Sequence, residues 1–320
     1  MTASVRTQRR LPLTAAGRVA RIGLVIALIA ATAGQPPPPV APGQPVDLAV
    51  AQTPSAPMNP VLVGAGDIAL CTSTMDSATA KLLAGVRGTV FTAGDNAYPD
   101  GTSQQFANCY DPTWGQFKTR TRPSPGNHEY YTAGASGYFD YFGVRAGPGE
   151  RGWYAYDKGS WRIYSLNSNC DVVSCASDSP QLRWLRADLA NHPRRCVLAY
   201  WHHPLFSSGQ HGNDPAIRPF WLALYRAGAD VVVNGHDHDY ERFARQDPRG
   251  RFARDGIREF IVGTGGAELR PFDGRKPNSV ARNATTHGVL KLTLYPGSFR
   301  WRFLPVAGKT FTDTGWAPCA

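Results

Sequence analysis

Short apolar runs and amphipathic stretches alternate along the chain, and glycine or proline separates most of them. Runs of β-branched and aromatic residues that stop at a glycine indicate buried strands, and apolar residues at helical spacing indicate helices. Strands are predicted at 61–63, 89–92, 196–200, 229–233 and 259–262, and helices at 76–83, 102–117, 180–190 and 215–226. Hairpins are predicted from 153–156 with 161–166 and from 289–295 with 299–304, and a turn-rich loop at 122–130. This order predicts an α/β sandwich with mixed sheets.

Polar side chains cluster at five places where a predicted strand or turn ends, and in α/β sheets ligands bind beyond the carboxyl ends of strands. The clusters are Asp67; Asp95 with Tyr98; Asn127 with His128; His202 with His203; and His236 with His238. Each cluster alone has an ordinary alternative, because Asp and Asn after glycine are common turn residues and histidine is often half-buried. Their shared position, and their residue types, favour a metal site.

The stretch around His236 and His238 carries the strongest single signal. Three valines at 231–233 indicate a buried strand, and Asn234 and Gly235 end it. In an extended backbone, residues at positions i and i+2 point the same way, so both imidazoles share one face. Imidazole is the commonest neutral metal ligand, although a polar turn with both rings in water remains the alternative.

The amino terminus indicates export. A basic region ends at Arg21, an apolar run follows, and 31–33 read Ala-Thr-Ala, so 1–33 are predicted to be a signal peptide. An uncleaved anchor is the alternative, and Arg9-Arg10 leaves both the general and the twin-arginine export routes open. Residues 34–59 contain eight prolines and are predicted to be a disordered linker, so the folded domain is predicted at 60–320.

Composition restricts the class of protein. Apolar residues make up 42% and charged residues 18%, which suits a globular domain with a large core. The formal charge is +10, and the leader at 1–33 carries five of those charges, so the remaining excess is mild. Such a balance favours anionic substrates. The basic residues are scattered without an aromatic stripe, so no nucleic acid partner is predicted.

All six cysteines follow the predicted signal, and an even number in an exported chain indicates disulfides. Cys170 and Cys175 would close the shortest loop, so we predict that they pair, and the sequence leaves the other pairings open. No CxxC pair is present, which argues against a structural zinc finger.

In chain order, these motifs resemble those of the calcineurin-like metallophosphoesterases, and of the purple acid phosphatase branch in particular. The chain has GD at 66–67, GDNAY at 94–98, GNHE at 126–129, HHP at 202–204 and GHDHDYER at 235–242. The wider family has a histidine two residues after the first Asp, where this chain has Ala69. The purple acid phosphatases also lack that histidine and use a tyrosine, which Tyr98 matches. The resemblance implies a four-layer α-β-β-α sandwich of two mixed sheets.

The resemblance also implies two metal ions. One would be held by Asp67, Asp95, Tyr98 and His238, and the other by Asp95, Asn127, His202 and His236. A phenolate suits Fe(III), whereas an amide oxygen and two imidazoles suit a divalent iron, zinc or manganese ion. His202 is chosen over His203 because it fits the family's His-x-Pro pattern.

The activity implied is hydrolysis of small phosphate monoesters by an exported enzyme, in which the metal pair activates water as the nucleophile. His128 would contact the phosphate, and His128 or His211 would act as general acid. His211 could equally be an exposed loop histidine. Asp237 and Asp239 are expected to orient neighbours or face solvent, and Tyr240, Glu241 and Arg242 to be structural neighbours of the site.

Two rival interpretations stay open. An esterase of the same fold could cut phosphodiesters, nucleotides or pyrophosphate with the same ligands and different pocket walls. Alternatively, the chain could be a secreted surface module that kept the fold without the chemistry. After signal cleavage no membrane span is expected, and the sequence does not indicate an oligomeric state.

Overall fold

The computed structural model describes residues 59–320, which form two β-sheets with helices beside them. The strands are β1 (Val61–Ala65), β2 (Thr89–Ala93), β3 (Thr121–Ser124), β4 (Tyr154–Lys158), β5 (Trp161–Ser165), β6 (Cys196–Tyr200), β7 (Val231–Asn234), β8 (Tyr240–Phe243), β9 (Arg258–Val262), β10 (Ser279–Asn283), β11 (Gly288–Tyr295), β12 (Ser298–Pro305) and β13 (Thr314–Pro318). The α-helices are α1 (Met75–Ala84), α2 (Ser103–Gln105), α3 (Asn127–Tyr130), α4 (Ser136–Phe142), α5 (Pro180–Asn191) and α6 (Arg218–Arg226).

Both sheets are mixed, as predicted. The first has the order β13-β12-β11-β1-β2-β3, in which β1, β2 and β3 are parallel and the carboxyl-terminal strands are antiparallel. The second has the order β10-β8-β9-β7-β6-β5-β4, in which β5, β6, β7 and β9 are parallel. The parallel strands lie at the centre of the second sheet, where both faces can be covered.

The two sheets pack against each other. Successive side chains of β6 point alternately to the core between the sheets and to the core under the helices. Leu198 and Tyr200 belong to the core between the sheets, whereas Val197 and Ala199 belong to the core under α5 and α6. The ring of Phe91 in β2 lies 5.6 Å from that of Tyr200, so side chains of the two sheets meet directly. With α1 against β11 on the other side, the layers are helix, sheet, sheet and helix, which confirms the predicted fold.

The prediction of one helix over 102–117 is wrong. After α2 the chain makes a π-helical turn at Phe106–Tyr110, and a separate 3-10 segment covers Trp114–Arg120. Pro112 lies between them, and proline lacks the N–H that a continuing helix needs. The turn is also tied to the loop after β1 by the disulfide Cys71–Cys109.

The prediction of a loop over 122–130 is also wrong, because this stretch contains most of β3 and all of α3. Pro123 lies inside β3, and a proline argues against a central strand. The structure accommodates it because, within residues 59–320, β3 is an edge strand that pairs with β2 alone. Strands β8, β10 and β13 and helix α4 were not predicted either.

Three disulfides are present: Cys71–Cys109, Cys170–Cys175 and Cys196–Cys319. The predicted Cys170–Cys175 pair is therefore confirmed. The predicted signal peptide, and all but the last residue of the predicted linker, lie outside the described residues. Within 59–320, no helix combines the length and apolarity needed to cross a bilayer.

Candidate metal centre

The carboxyl ends of five strands bring the predicted ligands together. Asp67 follows β1, Asp95 and Tyr98 follow β2, and Asn127 follows β3, so these four come from the first sheet. His202 follows β6, and His236 and His238 lie between β7 and β8 in the second sheet. The seven residues converge where one edge of the first sheet meets the corresponding edge of the second.

Three of these residues adopt a left-handed backbone conformation just after their strands end. The φ angles are 59° at Asp67, 49° at Asp95 and 73° at His236. For residues other than glycine such angles cost of order 1–3 kcal/mol each, and they concentrate at functional sites. The abrupt turns let each side chain reach the cluster directly from the end of a buried strand.

Glycines next to the ligands allow the loops to approach closely. A Cβ atom on Gly126 would lie 2.1 Å from Oδ1 of Asp95, and one on Gly235 would lie 2.5 Å from Oδ2 of Asp67. Any other residue at either position would push a carboxylate out of place. The glycines of GNHE and GHDHDYER are therefore required by packing.

Four donor atoms form a first group around the Tyr98 hydroxyl. It lies 2.9 Å from Asp67 Oδ1, 3.0 Å from Asp95 Oδ2 and 3.1 Å from His238 Nε2. Nε2 of His238 is also 3.3 Å from Asp67 Oδ1. Atoms that bind one cation at about 2.1 Å are about 3 Å apart, so these separations match a ligand set.

A second group surrounds Nε2 of His202. This atom lies 3.1 Å from Asn127 Oδ1, 3.2 Å from His236 Nδ1 and 3.2 Å from Asp95 Oδ2. The same oxygen of Asp95 thus belongs to both groups. A carboxylate oxygen in that position can be shared by two cations.

Backbone carbonyls fix two of the imidazoles. Nδ1–H of His202 donates to the carbonyl oxygen of Ala93 at 2.8 Å, and Nδ1–H of His238 donates to that of Glu268 at 2.7 Å. A carbonyl can only accept, so in the neutral rings Nε2 carries the lone pair and faces the cluster. This is how proteins orient metal-binding histidines.

The donor chemistry fits a cation. The Tyr98 hydroxyl has one proton, yet two carboxylate oxygens and an imidazole nitrogen surround it. Without a metal, burial and the charges of Asp67 and Asp95 raise the pKa of Tyr98 well above 10. Burial alone would lower the pKa of His202, but the Asp95 carboxylate outweighs it and raises the pKa to about 9. Positive charge is thus favoured at the centre of the cluster.

His128 lies beside the cluster with one nitrogen facing it. Its Nδ1–H donates to the carbonyl oxygen of Pro99, and its Nε2 lies 3.8 Å from Asp95 Oδ2. Its backbone N–H donates to Asp95 Oδ1 at 3.0 Å, so His128 also holds the shared carboxylate.

His211 lies beside the cluster, with its ring over that of His236. The two rings stack with centroids 4.2 Å apart. The backbone N–H of His211 donates to Asp237 Oδ1 at 2.8 Å, which anchors the loop after the HHP motif. His211 therefore is an exposed loop histidine that also borders the site.

Two residues that the sequence reasoning left without a role, His203 and Glu129, lie at the site. His203 has a ring nitrogen within 4.8 Å of ring nitrogens of His202 and His236, and its Nδ1 contacts Ser168 Oγ at 2.8 Å. Burial, followed by the charge of His202, lowers the pKa of His203 to about 3. Sequence pattern alone had favoured His202 over this neighbour.

Glu129 and Asp237 are buried carboxylates that hold the loops. Glu129 accepts hydrogen bonds from the backbone N–H groups of Asn96, Ala97 and Gly126, at 2.7, 3.2 and 2.6 Å. It thereby joins the loop after β2 to the loop after β3. Asp237 is 1% exposed and accepts from backbone N–H groups at 211 and 212, so it orients neighbours and does not face solvent.

Comparison with known proteins identifies the family. The calcineurin-like phosphoesterase profile matches residues 74–240. An uncharacterised protein of Mycobacterium tuberculosis is 37% identical over 144 residues, which are 38% of this chain and 27% of that protein. Purple acid phosphatase 15 of Arabidopsis thaliana is 26% identical over 217 residues, 56% of this chain and 40% of the relative. The matches thus span less than half the length of these relatives.

Solved structures share the fold. Purple acid phosphatase PPD1 from yellow lupin seeds superimposes with a TM-score of 0.62 at 19% identity, over 80% of this chain and 53% of the other. GAP50, described as the anchor in the inner membrane complex of Plasmodium, superimposes with a TM-score of 0.64 at 14% identity. The superposition covers 82% of this chain and 90% of GAP50. The chain belongs to the calcineurin-like phosphoesterase family, and it is similar to purple acid phosphatases.

Proposed function

We propose that this protein is an exported metal-dependent phosphatase that hydrolyses small phosphate monoesters at a dinuclear centre. The observation that carries the proposal is the position of Asp95 Oδ2, which lies 3.0 Å from the Tyr98 hydroxyl and 3.2 Å from His202 Nε2. One carboxylate oxygen thus lies between two groups of metal-binding atoms.

Each of the two groups of atoms described above would hold one metal ion. Asp67, Asp95, Tyr98 and His238 would hold one ion, and Asp95, Asn127, His202 and His236 the other. The phenol favours Fe(III) for the first ion, since a trivalent cation stabilises phenolate. The amide oxygen and two imidazoles favour a divalent iron, zinc or manganese ion for the second.

When bound, the two cations would neutralise phosphate charge and lower the pKa of water. The protein contributes the surrounding groups. Nε2 of His128 faces the cluster, and when the ring carries a proton on both nitrogens this atom can donate a hydrogen bond to a phosphate oxygen. His128 packs against Tyr98 and His211 packs against His236, so either can hold the proton that the leaving group needs.

Export is part of the proposal. Three disulfides within 59–320 support it, because such bonds form and persist in oxidising compartments. The leader predicted at 1–33 would direct the chain there.

The direct test compares a monoester with a diester. We expect hydrolysis of p-nitrophenyl phosphate that a chelator abolishes and added metal restores, with slower hydrolysis of bis(p-nitrophenyl) phosphate. Asp95→Asn should lose at least 100-fold in kcat/KM and most of the bound metal, since the shared ligand is weakened. Asp157→Asn, at an exposed ion pair on β4, is the matched control and should behave like the wild type.

Three results would count against the proposal. Hydrolysis that continues unchanged in the presence of a chelator would show that the reaction does not need a metal. A preference for the diester would favour the rival esterase. Full metal occupancy without hydrolysis of either compound would favour the non-catalytic module.

A further inference from the structure

Arg270 lies beside the metal centre and belongs to none of the motifs that identify the family. It follows β9, in the loop that begins GTGG at 263–266. Its backbone N–H donates to the carbonyl oxygen of His238 at 3.0 Å. The carbonyl of Glu268, two residues earlier, accepts from His238 Nδ1 at 2.7 Å. The loop is therefore attached twice to His238, which fixes where Arg270 starts.

The guanidinium reaches the histidine that stacks on His236. Its Nη1 donates to His211 Nε2 at 2.7 Å, and the His211 ring stacks on His236. His211 is exposed and Arg270 is half-buried, so this pair borders the centre on its open side. A phosphate held at the cluster would direct its leaving group toward water, and the leaving group would then lie next to Arg270 and His211.

The charge of Arg270 is not neutralised. No carboxylate of residues 59–320 lies within 4.0 Å of its guanidinium, whereas Arg162, Arg242 and Arg251 are each paired with an aspartate. A guanidinium has five N–H donors, and within 59–320 its one side-chain hydrogen bond goes to an imidazole. The remaining donors suit a carboxylate or phosphate, which arginine binds through two parallel hydrogen bonds.

We propose that Arg270 forms an anion subsite that recognises a second negative group, a carboxylate or a phosphate, on the leaving part of the substrate. This inference rests on the proposed phosphatase function and names its substrate class: phosphate monoesters whose leaving group is itself anionic. Arg270 determines specificity through the N–H donors that its hydrogen bond to His211 leaves free.

The test uses three substrates built on one ring: phenyl phosphate, 3-carboxyphenyl phosphate and 1,3-phenylene bisphosphate. The readout is the ratio of kcat/KM for each anionic substrate to that for phenyl phosphate, which cancels any general loss of activity. We expect Arg270→Gln to lower at least one ratio by about tenfold, mainly through KM, because a hydrogen-bonded charge pair is lost. The substrate whose ratio falls more identifies the preferred anion.

Two further variants separate specificity from structure. Arg270→Lys keeps the charge and should retain a ratio between those of the wild type and Arg270→Gln. Arg226→Gln removes an exposed arginine at the end of α6, close to the start of β7. The predicted ligands lie after the other end of β7, so this variant should leave the ratios unchanged. The wild-type ratios should also fall as salt is raised, since salt screens an exposed charge pair.

The outcomes are distinguishable from failure of the proposed function. If phenyl phosphate is hydrolysed in a chelator-sensitive way but Arg270→Gln leaves both ratios unchanged, the anion subsite is wrong and the phosphatase stands. If all three substrates resist chelator-sensitive hydrolysis, the proposed function falls and the subsite falls with it. If Arg270→Lys and Arg226→Gln change the ratios as much as Arg270→Gln, the effect is general electrostatics and the subsite is also wrong.

Discussion

Tyr98 is the residue that separates this chain from family members with a histidine in the first motif. If its phenolate binds Fe(III), iron-loaded protein should absorb visible light through charge transfer from the phenolate. Tyr98→Phe should abolish the band and weaken iron binding, as measured by absorption and metal analysis. Tyr156→Phe, which removes a partly buried hydroxyl that contacts Tyr200, is the control and should keep the band. An unchanged spectrum in Tyr98→Phe would remove this residue from the ligand set.

Glu129 matters for stability independently of metal. Its carboxylate accepts three backbone N–H groups from two loops and is fully buried. Glu129→Ala would leave these donors without an acceptor, so we expect the free energy of unfolding to fall by about 3 kcal/mol or more. Urea unfolding with chelator present measures this without a contribution from metal. Asp255→Ala, at an exposed position, should change it by less than about 0.5 kcal/mol.

The disulfides act at the scale of elements, and two of them make a matched comparison. Cys196–Cys319 joins the start of β6 to the chain after β13 across 123 positions, whereas Cys170–Cys175 spans 5. In the chain-entropy model the long loop contributes about 5 kcal/mol and the short one about 2 kcal/mol. Replacing each pair by alanine should therefore destabilise the first variant more in urea unfolding. Equal losses would show that strain or residual unfolded structure outweighs loop length.

Elements were predictable where one local pattern dominated. The apolar runs of β2, β6 and β7 indicated strands because both faces are buried. Strand β8 was missed because its residues, Tyr240 to Phe243, read as part of a polar motif, and only tertiary pairing with β9 and β10 makes it a strand. Strand β3 was hidden by Pro123, whose tolerance depends on an edge position that no local pattern shows.

At the scale of the whole molecule, the predicted ligands converge because strand ends from both sheets meet. The sequence indicated the ligand types and their positions after strands, and the family resemblance supplied their grouping. Arg270 was missed because it lies beyond the motifs, and its relation to His211 depends on how the loop after β9 folds back. The role of Glu129 was missed because three backbone donors surround it only in the folded chain.

Metal removal tests this arrangement of the whole molecule. The predicted ligands come from both sheets, so bound cations should stabilise the folded protein over the unfolded chain. At a free metal concentration 100 times the dissociation constant, the gain is about 2.7 kcal/mol per site. We expect chelation to lower the melting temperature of the wild type and to have little effect on Asp95→Asn. Equal melting temperatures with and without metal would contradict a site made from both sheets.

Stability should also depend on pH through His287, whose Nε2–H donates to the carbonyl oxygen of Ala267 at 2.9 Å. Burial lowers the pKa of His287 below its usual 6.5 in the folded state. The unfolded chain therefore takes up the proton first, and stability present above pH 6.5 is lost as the pH falls below it. His287→Gln keeps a donor without titrating, so its stability should fall less between pH 7 and 5. Identical slopes in chelator would contradict this assignment.

The division of the ligands between the sheets has a consequence for biogenesis. Neither sheet alone presents a complete set, because the first lacks the imidazoles and the second lacks the carboxylates and the phenol. A nascent chain with only one sheet formed would hold iron or zinc poorly, and high affinity would arise only when the halves dock. Metal acquisition would thus be a late event that reports correct assembly, and a chain whose sheets fail to dock would not retain the metal.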